Sequence, residues 1–200
     1  MYYWRRLSRE DQVKVLQERI GKRLPWHSPP HIDFVGPVTC IVTAACYEHQ
    51  PIIGKSHDRL SEFQQMLVDF CLATSAELFA WCVLRNHYHL LVRCPDIKVF
   101  RKGLGRIHGR TARQWNIDDV SVGRKVWFNC FDRNMKSERH FWASLNYIHH
   151  NAVHHGYVDR WQDWPYSSAS KFLDAVGHQK AVEIWKEFPV LDYGKDWDIY

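Results

Sequence analysis

Two groups of side chains in this sequence have the types and spacing to do chemistry. The first is Asn86-His87-Tyr88-His89-Leu90-Leu91-Val92. On an extended strand successive side chains alternate faces, so His87 and His89 point one way while Tyr88, Leu90 and Val92 point the other. Two imidazoles so placed can share one divalent ion. Such a pair on a half-exposed strand can equally be structural. The second group is Asn146-Tyr147-Ile148-His149-His150-Asn151. At helical spacing Phe141, Leu145, Ile148 and Ala152 form one apolar stripe. Tyr147 and Asn151, four residues apart, share a flank of that stripe in line with His140 and His154. Tyr147 is there a candidate nucleophile and the Asn151 amide oxygen a candidate metal ligand. The alternative is a boundary aromatic whose hydroxyl meets water. His150 and His154 are a lesser metal-binding pair, against which stands a solvated histidine run favoured by the dipole at a helix C-terminus.

Positioning these groups requires particular elements. Val38–Cys46 is rich in β-branched residues and predicts a strand. Leu60, Phe63, Leu67, Phe70 and Cys71 recur at helical spacing and predict a helix over 58–73. Leu78–Leu84 is a second strand, and Arg85-Asn86 turns it into a third over 87–93. A helix over 97–115, a fourth strand over 125–132 and a long helix over 137–155 follow. Ser137 is the N-cap of that last helix and Gly156 its stop. The order β-α-β-β-α-β-α implies an α+β fold, a ferredoxin-like antiparallel sheet with an added long helix that carries the tyrosine. Ahead of it, Ser8–Leu24 reads as a basic helix capped by Ser8 and ended by Pro25, then a linker over 25–30. The expected organisation is a basic extension and linker over 1–35, one domain over 36–170, and an acidic tail over 171–200.

The 200 residues suffice for one core. The apolar stretch 78–84 is far too short to span a membrane, and Met1-Tyr2-Tyr3-Trp4-Arg5-Arg6 carries no apolar export signal. The six cysteines form no CxxC pair and read as reduced thiols of a cytosolic chain. Net charge is +5, concentrated in two blocks. Residues 1–30 carry seven Lys/Arg against three acids, and residues 93–113 carry seven against Asp96 alone. On the predicted helix over 97–115, Phe100, Leu104, Ile107, Thr111 and Trp115 share one face. Lys98, Lys102, Arg106, Arg110 and Arg113 spread over the other, with Gly105 and Gly109 among them. Side-chain-free positions would let a phosphate backbone approach closely, so this face is a candidate DNA contact. Gly103 reads either as part of that approach or as a break in the helix. Trp4, Arg5 and Arg6 form a candidate additional DNA contact, or an exposed arm.

Taken together, an HxH strand after a β-α-β start and a later helix with Tyr-x-x-x-Asn resemble the HUH endonucleases that use a single tyrosine. More narrowly the chain resembles the bacterial REP-associated tyrosine transposases. The residues that carry the likeness are Asn86–Leu91, Tyr147–Val153, Gly156-Tyr157-Val158 and Trp164-Pro165-Tyr166-Ser167-Ser168, within about 36–170. Leu84-Arg85 stands where the family usually has Met-Pro, and Ala152 where it usually has Pro; neither change touches a reacting group. The resemblance implies that His87, His89 and Asn151 hold Mg²⁺ or Mn²⁺. It implies that Tyr147 attacks a phosphate of hairpin-forming single-stranded DNA, leaving a 5′-phosphotyrosine and a free 3′-hydroxyl, and that a second 3′-hydroxyl rejoins the strand. It further implies a bacterial, cytoplasmic, nucleoid-associated protein, monomeric or homodimeric, with no membrane partner. Two rival readings are a replication-initiator or relaxase-like nickase, and a domesticated DNA-binding protein without cutting activity.

Overall fold

The computed structural model describes residues 7–21 and 36–190. The chain divides into two units, 1–33 and 34–200. In the first, α1 (Arg9–Gly21) begins where the Ser8 hydroxyl accepts from the Asp11 amide at 3.1 Å. The linker over 25–30 and the Trp4-Arg5-Arg6 arm lie outside the described residues.

The second unit is built on four strands, β1 (Val38–Ala45), β2 (Glu77–Val83), β3 (His87–Cys94) and β4 (Phe131–Asn134). They lie in the order β2-β3-β1-β4, every neighbouring pair antiparallel. This is the split β-α-β arrangement expected for a ferredoxin-like sheet. Between the strands run α2 (His57–Ala73), capped by Ser56, and α3 (Ile97–Asp118), capped by the Asp96 carboxylate at the Lys98 and Val99 amides. Helix α4 (Glu138–His154) starts at Ser137, whose hydroxyl accepts from the His140 amide. It ends in a Schellman motif: Gly156 at φ 69° donates to Val153, and Tyr157 donates to Ala152, each at 2.9 Å. Only a residue without a Cβ adopts that turn at no cost.

Strand alternation divides the core into two layers. Tyr88, Leu90 and Val92 pack with Phe63 of α2 and Phe100 and Leu104 of α3. Leu91, Ile41, Ala80 and Cys82 pack on the opposite face with Leu145, Ile148 and Ala152 of α4. Tyr88, between the two histidines, is fully buried and hydrogen-bonded through its hydroxyl to His108 at 3.0 Å. That contact pins α3 against β3. Gly103 neither breaks α3 nor faces DNA. A Cβ there would come within 2.3 Å of the Phe70 ring, so the absent side chain lets α2 and α3 pack closely.

The fourth strand lies later than the sequence predicts, at 131–134 rather than 125–132. Trp127 keeps one isolated bridge, to Cys46. Its indole turns inward, stacks on His108 at 4.3 Å and donates to the Thr111 hydroxyl. Core packing therefore takes the apolar run, and regular pairing with β1 begins only at Phe131. Within and just ahead of the acidic tail expected over 171–200, the chain forms α5 (Ala169–Val176) and α6 (His178–Glu187). The Asn146 amide nitrogen of α4 donates to Ile184 and Phe188 and holds α6 in place. Residues 191–200 lie outside the described residues. No helix among the described residues is long and apolar enough to cross a membrane.

Candidate active site

Strand β3 and helix α4 meet where the two chemical groups of the sequence lie. His87 and His89 project from the α4 side of the sheet with ring centroids 5.0 Å apart. Asn151 closes on them, its Oδ1 3.2 Å from His87 Nε2. The Tyr147 ring stands edge-on to His89 at 5.1 Å. Relative exposures are 1% for His87, 0% for His89, 1% for Asn151 and 5% for Tyr147. Tyr147 is therefore an inward residue of α4, and its ring is not laid on the surface as a boundary aromatic would be.

Each imidazole is held from behind. His87 Nδ1 lies 2.7 Å from Asn86 Oδ1, and the Asn86 amide nitrogen donates to the His49 carbonyl, which fixes the orientation of the amide. An amide oxygen only accepts, so His87 carries a proton on Nδ1 and turns Nε2 towards Asn151. The Thr43 hydroxyl, on the neighbouring strand at the position paired with His89, sits 2.7 Å from His89 Nδ1. Nδ1 of each ring is thus held by the fold, and His87 Nε2 meets the Asn151 amide oxygen. Asn151 Nδ2 is buried with no hydrogen-bond partner among the described residues. Two imidazole nitrogens and one amide oxygen suit a divalent ion that accepts mixed donors. The bracing roles of Asn86 and Thr43 are not legible in the sequence. Their signal, an Asn directly before the HxH and a polar residue on the adjacent strand, acquires meaning only once the register is known. His155 also joins the cluster, its ring 4.9 Å from His87.

Other candidates fall elsewhere. Lys98, Lys102, Arg106, Arg110 and Arg113 are all exposed on α3, with Gly105 and Gly109 open beside them. They lie on the opposite layer of the sheet from Tyr147. Because α3 returns antiparallel to β3 and His108 is level with Tyr88, the Arg106–Arg113 half of the stripe lies at the His87 end of the sheet. His150 turns to the Trp185 ring at 5.0 Å, away from His87 and His89. Among the described residues no group of three or more His, Cys, Asp or Glu has metal-binding geometry. The candidate centre depends on an amide oxygen as third donor. The segment Trp164–Ser168 braces the same region. Tyr166 and Ser168 exchange backbone hydrogen bonds with Val83 and Trp81, and the Ser168 hydroxyl also meets His149 Nε2 at 2.9 Å.

If Asn86 orients His87, Asn86→Ala lowers divalent-metal affinity by about 10- to 100-fold. Calorimetric titration with Mn²⁺ reads this directly, and an unchanged affinity would remove the bracing role.

No protein-family model matches the chain. A Haemophilus influenzae protein named as a REP-associated tyrosine transposase is 29% identical over 128 residues, spanning 59% of this chain and 73% of that protein. Among solved structures, a REP-associated tyrosine transposase bound to a REP hairpin superposes with a TM-score of 0.55 at 16% identity, covering 72% of this chain and 83% of that one. A Deinococcus radiodurans structure described as a transposase overlaps more loosely, at a TM-score of 0.40 and 17% identity, over 66% of this chain and 96% of that one. The chain is thus similar in sequence to a REP-associated tyrosine transposase and shares the fold of another.

Proposed function

We propose that this chain is a transposase of the REP-associated single-tyrosine kind, cutting and rejoining hairpin-forming single-stranded DNA. The observation that carries the reading is the convergence of His87, His89, Asn151 and Tyr147, from two elements sixty residues apart, into one buried cluster. Sequence similarity to a named transposase supports the same class of reaction.

In this reading Tyr147 Oη attacks the scissile phosphorus in line. The bond from phosphorus to the 3′-oxygen breaks, the 3′-oxygen takes up a proton, and the 5′-phosphate stays on Tyr147. A second 3′-hydroxyl then attacks that phosphorus, forms the new strand and returns Tyr147, so the phosphotyrosine conserves the bond energy. His87, His89 and the Asn151 oxygen would hold Mg²⁺ or Mn²⁺, which supplies Lewis-acid neutralisation of the phosphate. Asn86 and Thr43 keep the two rings fixed, so no reorganisation is needed as charge develops. The T-shaped packing of Tyr147 on His89 restricts the phenol to one approach.

The test is incubation of single-stranded hairpin DNA with the protein and Mn²⁺, followed by denaturing electrophoresis. A covalent protein–DNA adduct supports the reading. Hairpin binding with no adduct under any divalent metal would favour the binding-only alternative. Cleavage without rejoining would favour the nickase.

The stripe on α3 supports a DNA partner from a second direction, as a contact for the duplex stem. Charge reversal at Lys102 and Arg106 together is expected to weaken hairpin affinity and to flatten its log–log salt dependence by about two. Unchanged affinity and slope in a filter-binding series from low to high salt would remove α3 from the interface.

A further inference from the structure

Behind the tyrosine, α4 presents a different surface. Asn146, His149 and His150 face α6 and the short turn Trp161–Asp163, and between them lies a cavity of about 280 Å³. That is close to the lower end of the range of small-molecule sites, roughly 300–1,000 Å³. Trp161 and Trp185 line it as indoles, and Gln162 adds a side-chain amide. No Lys, Arg, Asp or Glu is among its described lining residues. The walls are built in. Trp161 is stacked on His149 with planes 15° apart, His149 is anchored on Ser168, and Asn146 ties down α6. Two features remain to be used. His150 Nδ1 is buried with no hydrogen-bond partner among the described residues. Trp185, despite its contact with the His150 ring, keeps 36% of its surface exposed.

An aromatic-walled cavity whose hydrogen-bonding groups are the Asn146 and Gln162 amides and the imidazoles of His149, His150 and, at its exposed edge, His178 suits a flat heterocycle with hydrogen-bonding edges. We propose that this cavity holds one unpaired nucleobase of the DNA strand, stacked against Trp185 and read along its edge by His150 and Gln162. The inference rests on the reading of the chain as a single-stranded DNA enzyme. The pocket and Tyr147 lie on adjoining faces of one helix, which with its side chains is about 10–12 Å across. A base held there would fix which phosphate, within a few nucleotides, lies against Tyr147. The pocket would then choose the cleavage position, while α3 holds the stem.

The experiment is an abasic scan. Hairpin DNA with single-stranded flanks is made with one abasic site at a time, and dissociation constants are measured by fluorescence anisotropy at fixed salt. At one flank position the wild type should lose roughly 5- to 150-fold in affinity, the worth of one base stacked on an aromatic ring. In Trp185→Ala the same abasic site should cost almost nothing, and Trp185→Phe should restore the sensitivity. Gln162→Ala, which leaves both indoles in the chain, should reduce discrimination among the four bases at that position and no other. If every abasic site costs the wild type and Trp185→Ala the same factor, the pocket takes no base and the enzyme reading stands. If the wild type fails to bind hairpin DNA at all, both are overturned.

Discussion

Under the proposed reaction, Tyr147→Phe is expected to abolish adduct formation on single-stranded hairpin DNA while hairpin affinity stays within a factor of about two. Phenylalanine preserves the edge-on contact with His89 and the packing beside Leu145 and Ile148, so the fold keeps its core. What is removed is the oxygen proposed to attack. Loss of a nucleophile that acts as one unit with its supporting groups costs on the order of 10⁴- to 10⁶-fold in turnover. The readout is a band of retarded protein–DNA complex that survives denaturant in the wild type and is missing in the variant. Equal cleavage by both proteins would mean that another residue attacks. Phe is the informative choice, because alanine would also empty a buried site and confuse lost chemistry with lost packing.

Asp119→Asn is expected to lower stability by about 3 kcal/mol, near the lower end for breaking a buried charge cluster. The Asp119 side chain is 3% exposed and is gripped by the Arg59 guanidinium through two hydrogen bonds, by Arg124 at 2.8 Å and by Lys55 at 2.8 Å. Lys55 is 55% exposed, so solvent screens its share. Most of the loss comes from the two guanidinium groups left facing a neutral amide. The cluster joins the start of α2 to the end of α3, and Arg59 also donates to the Ile52 carbonyl. The Arg59 hydrogen bonds, followed by those from Lys55 and Arg124, hold the Asp119 carboxyl far below the usual carboxylate range. A depressed folded-state value stabilises above the unfolded-state pKa, near 4. That stability is lost as pH falls further, so the gap between wild type and variant should be widest above pH 4 and close in stronger acid. In a chain of this size it corresponds to a fall in melting temperature of roughly 6–12 °C at neutral pH. A gap that stays constant across the acid range would show that Asp119 is held by packing and not by charge.

Read alone, the sequence determined the elements that carry the chemistry. Period-two alternation put His87 and His89 on one face and Tyr88 on the other, because in any extended chain the Cβ atoms must alternate. Four-residue spacing put Tyr147 and Asn151 on one flank of a helix, and Ser137 and Gly156 set its ends through local capping that needs no distant partner. Those are short-range consequences of backbone geometry, and the structure places them as the residues imply. What only the tertiary structure decided depends on which strands pair and which side chains the core claims. Thr43 becomes a support for His89 because β1 lies beside β3 in one register, and Asn86 because His49 turns its carbonyl to it. Trp127 is drawn towards His108, which delays the fourth strand, and Gly103 answers to Phe70 and not to DNA. The basic stripe of α3 was legible as a stripe, but its place on the layer opposite Tyr147 follows from the strand order alone. The cavity between α4 and α6 has no sequence signature at all, because its walls come from residues 146 to 185 and meet only after the chain has folded back on itself.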